Sequence, residues 1–378
     1  MMKRICLAGY YGYDNLGDEA ILYSLIEGIR SLKQNCEITV LSASPGETSR
    51  RYGVKAVGRY NILKILSLLR DCDLFMSGGG SLIQDVTSFK SPLYYLGLMR
   101  MADALADRTA FAFQGVGPLE SNFLCSVAGS IIGAMDEISV RDEDSLKLLI
   151  DEIGLAERKV KKTVDPVFLL APDISDVKEK GSHEGDCNHG RAKHFKLGIS
   201  VRPWDDNSYL SETAAGLNMY IREKKSIEIK FIPLNYEKDI EAVKFLERSL
   251  ETDKVEISGP FSHLREVEKE MDDLDLLLGV RLHSLIFATL RGVPCVGIEY
   301  DPKVRSFLSQ INLTPAGTTE NISRKNLCQN FKMVENNRKK ITGRQLKYVR
   351  SCRNRLEEYL SELLAGKGSD GDERKGNV

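Results

Sequence analysis

The sequence predicts an α/β protein of two Rossmann-like domains, each an open parallel sheet, facing one another across a cleft. Three observations predict it. Short apolar runs of strand length alternate with amphipathic stretches of helix length along most of the chain, the pattern that right-handed crossover units produce. The length, 378 residues, suits two to three domains at about 150 residues each. One stretch, 171–196, breaks the rhythm with Pro, Gly and many charges and almost no apolar residue. It reads as an interdomain linker or flexible loop.

The elements follow in order. A strand is predicted over 4–9, ending at a glycine, then a helix over 18–32 with Asp18 as its N-cap. A strand over 37–42, a helix over 61–70 and a strand over 73–77 come next, the last running into three glycines. A helix over 93–105, a strand over 109–115, a helix over 123–135 and a strand over 137–141 complete the first half. After the linker the pattern restarts with a strand over 197–201, a helix over 211–224 and a strand over 227–233. A helix over 239–251, a strand over 274–279, a helix over 282–291 and a strand over 294–300 follow. A helical stretch over 343–364 closes the folded part, and GKGSDGDERKGNV reads as a disordered tail. The domains are therefore 1–170, a linker 171–196, a second domain 197–335, a closing helical segment 336–365 and a tail 366–378. No period of about 20 to 50 residues recurs, which excludes a solenoid.

Composition excludes several function classes. Lys+Arg is 53 and Asp+Glu is 54, a net charge of -1. A broad polyanion-binding surface carries a clear basic excess, so nucleic acid is not expected as a partner. No apolar run reaches the roughly 18 to 20 residues of a membrane span. The opening MMKRICLAGYYGYDNLGDEA turns Gly-rich and acidic too soon for a signal peptide. The expectation is a cytoplasmic enzyme or binding protein. Eight cysteines include no CxxC pair, which fits neither a disulfide framework nor a four-cysteine zinc site. Cys6 and Cys295 lie in apolar segments and read as small buried hydrophobes.

Ligands of open parallel sheets bind outside the carboxyl ends of the strands, so residues just after strands carry the chemistry. The first such segment is GYYGYDNLGD, where Asp14, Asn15 and Asp18 suit sugar hydroxyls and the glycines, Gly17 among them, admit close approach. A plain turn and N-cap explains Asp18 equally well. It is not GxGxxG, and no GxxxxGK[ST] occurs, so dinucleotide and P-loop sites are weakly supported. The second is SGGGSLIQD, whose glycines, Gly79 and Gly80 among them, free backbone N–H groups for an anion or hydroxyl at a helix start. Tight strand–helix packing is the structural alternative. Arg141 in SVRD directly follows a strand, although a lone arginine is more often a surface ion pair. Arg202 in SVRPW turns sharply at Pro203, and Trp204, the only tryptophan, is either a substrate wall or a packing aromatic. The last is GVRLHSLIFA, with Arg281 and His283. His283 falls in a first helical turn, where the dipole favours an anion. Lys303 in EYDPKV follows the next strand. Arginines and a lysine gathered at strand ends describe a focused pocket for carboxylate and phosphate, and phosphoenolpyruvate carries both.

These motifs, together with QGVGP, resemble the polysaccharide pyruvyl transferase family over roughly residues 3–330, most nearly the bacterial cell-wall type that supplies S-layer anchoring. The resemblance implies a GT-B-like fold with a C-terminal helix packed back on the first domain. It implies transfer of pyruvate from phosphoenolpyruvate to a sugar as a cyclic ketal, with release of phosphate and no metal or nucleotide cofactor. The implied acceptor is N-acetylmannosamine in a lipid-linked precursor, which entails transient contact with the cytoplasmic membrane face. Matched to the family, Arg141, Arg202, His283 and Lys303 take donor-side positions and Asp18 the acceptor-side acid. Relatives often carry Ser or Thr where this chain has Leu16, so no hydroxyl contact is expected from that side chain.

The chemistry assigns roles. His283 is the candidate general acid, protonating the donor methylene, and Arg141, Arg202, Arg281 and Lys303 hold carboxylate and phosphate. Arg281 alternatively forms a structural ion pair. Asp18 orients or deprotonates a sugar hydroxyl, with Asp14, Asn15, Gly17, Gly79 and Gly80 lining the acceptor. Two other functions fit the same architecture: a nucleotide-sugar glycosyltransferase and a non-catalytic sugar- or anion-binding protein. His183, Cys187, His189 and His194 lie close in sequence, but their spacing matches no standard zinc site, so no metal is expected. Basic residues gathered over 338–355 read as a solvated helix face, or as a contact for an anionic bilayer.

Overall fold

Strands buried on both faces need apolar side chains pointing both ways, so they read as continuous apolar runs. The two most apolar strands of the first half, β4 (Leu74–Gly78) and β5 (Thr109–Gln114), are buried at every position. A computed structural model describes residues 3–172 and 194–366, apart from 34, 87, 225 and 262. The chain divides into two units. The first is Met1–Asp14, Asp18–Leu170 and Ser351–Val378, and the second is Asn15–Gly17 and Ala171–Arg350.

The first unit holds a seven-stranded sheet of order β3-β2-β1-β4-β5-β6-β7, with every described pairing parallel. Its other strands are β1 (Lys3–Ala8), β2 (Cys36–Ser42), β3 (Lys55–Gly58), β6 (Glu137–Val140) and β7 (Val160–Lys162). The helices are α1 (Leu16–Leu32), α2 (Pro45–Tyr52), α3 (Ile62–Arg70), α4 (Lys90–Leu105), α5 (Asn122–Ile132) and α6 (Glu143–Lys147). The strand order reverses between β1 and β4, the point at which doubly wound sheets bind ligands.

The second unit repeats the plan with five parallel strands in the order β10-β9-β8-β11-β12. They are β8 (Phe195–Ser200), β9 (Ile227–Phe231), β10 (Val255–Ile257), β11 (Leu276–Gly279) and β12 (Cys295–Gly297). Its helices are α7 (Tyr209–Ile221), α8 (Tyr236–Ser249), α9 (Leu264–Asp272), α10 (Leu282–Leu290), α11 (Pro302–Gln310) and α12 (Arg324–Asn336). Here the order reverses between β8 and β11.

The chain ends in α13 (Arg338–Ala365). Its first residues pack with the second unit, where Leu346 and Thr342 lie 3.2 and 3.3 Å from where a side chain on Gly292 would begin. From Ser351 on it belongs to the first unit. There its last carbonyls are capped by cations: Lys3 Nζ donates to Leu364 O (2.6 Å) and Arg108 Nη1 to Leu363 O (3.0 Å). Positive charge at a helix C-terminus opposes the negative end of its dipole. In the basic cluster expected over 338–355, Arg338 pairs with Asp275 (3.2 Å) and Arg353 with Glu357 (2.8 Å).

The structure differs from the sequence expectation in identifiable places. Helix α1 begins at Leu16, so Asp18 is its third residue and not its N-cap. Asn15 takes the cap position, its Oδ1 accepting from Gly17 N–H (3.4 Å). Helix α4 starts at Lys90, so SGGGSLIQD does not open onto a helix. Strand β8 begins at Phe195, inside the expected linker. The linker core, including His183, Cys187 and His189, and the tail over 367–378 lie outside the described residues. His194 is described and hydrogen-bonds Ser226 Oγ through Nδ1.

Candidate functional site

The first unit gathers groups at its strand reversal. After β1 the chain folds back so that the Tyr11 hydroxyl donates to Gly78 O at the end of β4. Gly79 and Gly80 follow with φ of 70° and 88°, conformations that side chains resist. A Cβ on Gly80 would stand 3.4 Å from Asp18 Oδ1, so the absent side chain leaves the carboxylate close to bare backbone. The Gly79 N–H is already spent on Ala112 O (2.8 Å). Burial, reinforced by the Asp18 charge, raises the pKa of the Tyr10 and Tyr11 phenols, so both hydroxyls stay neutral.

Arg141, after β6, is 6% exposed. Its Nη1 bonds Asp165 Oδ2 (2.7 Å) and its Nη2 donates to Ser81 Oγ (3.0 Å) in the glycine loop. Asp142 adds a second carboxylate at 3.8 Å. Arg141 thus belongs to the first unit and carries its own counter-ions there. Asp14 is exposed, at φ 52°, and reaches Arg51 at 3.6 Å. Glu19 is buried. Its carboxylate accepts from Gly12 N–H (2.8 Å) and the Tyr52 hydroxyl (2.5 Å), yet burial still pushes its pKa up.

The second unit gathers a different set. Arg202 follows β8, His283 opens α10 after β11, and Lys303 opens α11 after β12. These three strands are neighbours. The Arg202 guanidinium lies over Tyr300 (4.7 Å) and Trp204 (5.1 Å), and those two rings meet edge to face at 4.9 Å. Lys303 Nζ lies 5.2 Å from the same Tyr300 ring and 3.0 Å from Asp301 Oδ2. Two cations therefore share one aromatic ring. No carboxylate stands within ion-pair reach of Arg202 among the described residues. Asn235 caps α8, and Asp239 four residues on is fully buried and receives both prongs of Arg281.

His283 packs on Gly17, which clusters with this unit. A Cβ at position 17 would fall 2.2 Å from His283 Nδ1, so only glycine fits. Leu16 beside it is 7% exposed and its N–H donates to Leu234 O (3.4 Å).

The expected residues thus fall into two groups. Asp14, Asp18, Gly79, Gly80 and Arg141 belong to the first unit; Asn15, Gly17, Arg202, Arg281, His283 and Lys303 to the second. Sequence reasoning missed Tyr300, although it lies inside the EYDPKV motif, and missed Asp239 and Asp165, the counter-ions that bind Arg281 and Arg141. It also missed Arg59 after β3. Arg59 is 6% exposed, ringed by Tyr13, Tyr60, Tyr94 and Tyr95 at 4.4 to 5.3 Å, with no hydrogen-bond partner on Nε or Nη1. Four ring faces compensate its buried charge. Among the described residues no three His, Cys, Asp or Glu side chains converge as metal ligands.

Known structures place the fold. The UDP-GlcNAc 2-epimerase from Methanocaldococcus jannaschii is similar with a TM-score of 0.65 at 14% identity, covering 97% of this chain and 100% of that one. Alr3699/HepE from Anabaena, solved with UDP and glucose, gives a TM-score of 0.60 at 13% identity, covering 97% and 100%. MnaA from S. aureus, solved with UDP, gives 0.60 at 13% identity, covering 98% and 100%. Likeness at such identity shows the fold, a GT-B type of two parallel α/β units. The polysaccharide pyruvyl transferase family pattern matches residues 15–302, a span running from the Asn15 cap through the glycine loop, Arg202 and His283 to the start of α11. The chain therefore belongs to the polysaccharide pyruvyl transferase family.

Proposed function

We propose that this transferase moves pyruvate from phosphoenolpyruvate to a sugar as a cyclic ketal, releasing phosphate. The observation that carries the proposal is the pair of cations on Tyr300. Arg202 and Lys303 share one ring, and Arg202 has no carboxylate partner among the described residues. A small dianion with a separate carboxylate supplies the missing charge.

His283 is the proposed acid. Its proton goes to the methylene carbon, the double-bond electrons form the new C–H bond, and positive charge develops at the adjacent carbon. One sugar hydroxyl attacks there, phosphate departs with the C–O electrons, and a second hydroxyl closes the ketal. The two hydroxyl protons leave with the phosphate and return to the imidazole, so atoms and charge balance. Arg202 and Lys303 stabilise the charge on the departing phosphate. In the first unit Asp18 orients or deprotonates the sugar hydroxyl, with Asp14, Gly79 and Gly80 lining the acceptor. The proposed acceptor is N-acetylmannosamine of a lipid-linked cell-wall precursor, met at the cytoplasmic face of the membrane, and no cofactor is required.

A thermal shift series tests the donor. Phosphoenolpyruvate alone should raise the melting temperature, and UDP should not. Mass spectrometry of lipid-linked acceptors incubated with phosphoenolpyruvate should then show one pyruvyl group gained per sugar. Stabilisation by UDP without phosphoenolpyruvate, together with transfer from a nucleotide sugar, would make the protein a glycosyltransferase. Binding of phosphoenolpyruvate with no phosphate release on any acceptor would make it a binding protein.

A further inference from the structure

Ten large apolar side chains are exposed among the described residues, and six of them lie along one rim of the first unit. Tyr60, Ile62 and Leu63 stand at the start of α3, Val86 and Phe89 just before α4, and Phe123 in the first turn of α5. They are between 47% and 81% exposed. Each of these helices follows a strand of one parallel sheet, so all three N-termini lie at the carboxyl edge. Helix α3 packs on α4 and α4 on α5, which sets the three starts side by side. Tyr60 meets Tyr94 of α4 edge to face at 5.5 Å. Asp85 accepts from the N–H groups of Glu120 and Ser121 (both 2.9 Å), tying the segment before α4 to the start of α5.

We infer that this rim enters the interface of an anionic lipid bilayer. The first turns are already partnered from within: Asn61 Oδ1 accepts from Lys64 N–H (3.2 Å), Ser88 Oγ from Ser91 N–H (3.3 Å) and Ser121 Oγ from Leu124 N–H (3.4 Å), although Phe89 at the N-cap of α4 offers no side-chain acceptor. The apolar tips therefore leave water without carrying those groups unpaired. Aromatic and aliphatic side chains beside lysines are the composition of interfacial anchors. Lys64 and Lys90 are exposed next to them, and three positive helix ends face the same way. Glu120 is an exposed acid on the same rim and Asp85 a half-buried one, whose carboxylate is taken up by the N–H groups at the start of α5.

The inference extends the lipid-linked acceptor proposed above and rests on it for its purpose, but its test contains no acceptor. The full chain is floated with vesicles of phosphatidylglycerol and phosphatidylethanolamine, and with phosphatidylcholine alone. The unsubstituted protein should float with the anionic vesicles. A Leu63→Asp, Phe123→Asp double variant should lose at least about tenfold in bound fraction at the same melting temperature. Phosphate release on a water-soluble acceptor should be equal in the two, so failure of vesicle binding and failure of the reaction are read separately. Equal flotation of the variant overturns the inference, as does a native protein that floats with no vesicle. A native dimer in sedimentation velocity that the variant converts to monomer overturns it in favour of self-association.

Discussion

Arg281 closes a two-pronged ion pair on Asp239, through Nε to Oδ2 (2.7 Å) and Nη2 to Oδ1, and Asp239 has no exposed surface at all. Asp239 also accepts from Asn235 N–H (3.0 Å), so the pair ties the start of α8 to the turn before α10. Removing the arginine leaves a buried carboxylate without its counter-ion. Arg281→Met should cost about 3–5 kcal/mol in denaturant unfolding. Arg281→Lys should recover charge but not the fork, and fall between. If Arg281 instead served mainly as a donor ligand, both variants would keep native stability and raise the KM for phosphoenolpyruvate.

The contact of Gly17 with His283 gives a sharper test of the acid. His283→Ala should lower phosphate release by about 10²–10⁴-fold in a folded protein. Gly17→Ala leaves the imidazole in place chemically but drives a methyl into its Nδ1 at 2.2 Å, so the ring must move. Its kcat should fall while the donor KM stays close to native. In the double variant the two losses should not add, because the alanine at 17 has no ring left to displace. Additive losses would separate Gly17 from the acid.

What the sequence carried was the strand-end chemistry, and the reason is physical. Ligands of doubly wound sheets meet the reversal points of strand order, here after β1 and β4 and after β8 and β11. GYYGYDNLGD, SGGGSLIQD, SVRPW and GVRLHS lie at those four places, so their glycines and charges stand out against apolar strands. The edge strands β3, β7 and β10 gave no such signal. They are three or four residues long and carry exposed lysine or glutamate, too short for any periodicity. Asp18 passed for an N-cap because Asn15, three residues earlier, is as good a cap and the helix takes the earlier one. The counter-ions were invisible for another reason. Asp239 pairs across 42 residues and Asp165 across 24, distances that only the fold brings together.

Glu19 predicts a pH dependence with a defined sign. Burial holds its folded pKa above the ordinary value of 4.5, so the native state keeps this proton to higher pH than the unfolded chain does. Between the two values the folded state binds more protons, and stability falls as pH rises. Glu19→Gln abolishes this one titration and can still accept from Gly12 N–H. Urea unfolding of native and variant proteins, compared as a difference from about pH 4 to 8, should show the variant gaining relative stability with rising pH. A flat difference would mean that Tyr52 and Arg51 fully offset the burial.

The Tyr300 ring offers the most direct test of donor binding. The ring is shared by Arg202 at 4.7 Å and Lys303 at 5.2 Å, and Trp204 braces it edge-on. Each cation–π contact contributes about 0.5–2 kcal/mol depending on how dry it is. Tyr300→Ala removes both at once and frees two long side chains to sample other rotamers, which the donor must then reorder on binding. The KM for phosphoenolpyruvate should rise roughly tenfold, with a smaller change in kcat. Tyr300→Phe keeps the ring and should remain near native, which separates the aromatic face from the hydroxyl. Arg202→Lys keeps the charge but loses the planar stacking surface, and should resemble Tyr300→Ala more than native protein. Native donor affinity in both Tyr300→Ala and Arg202→Lys would place the donor elsewhere in the molecule.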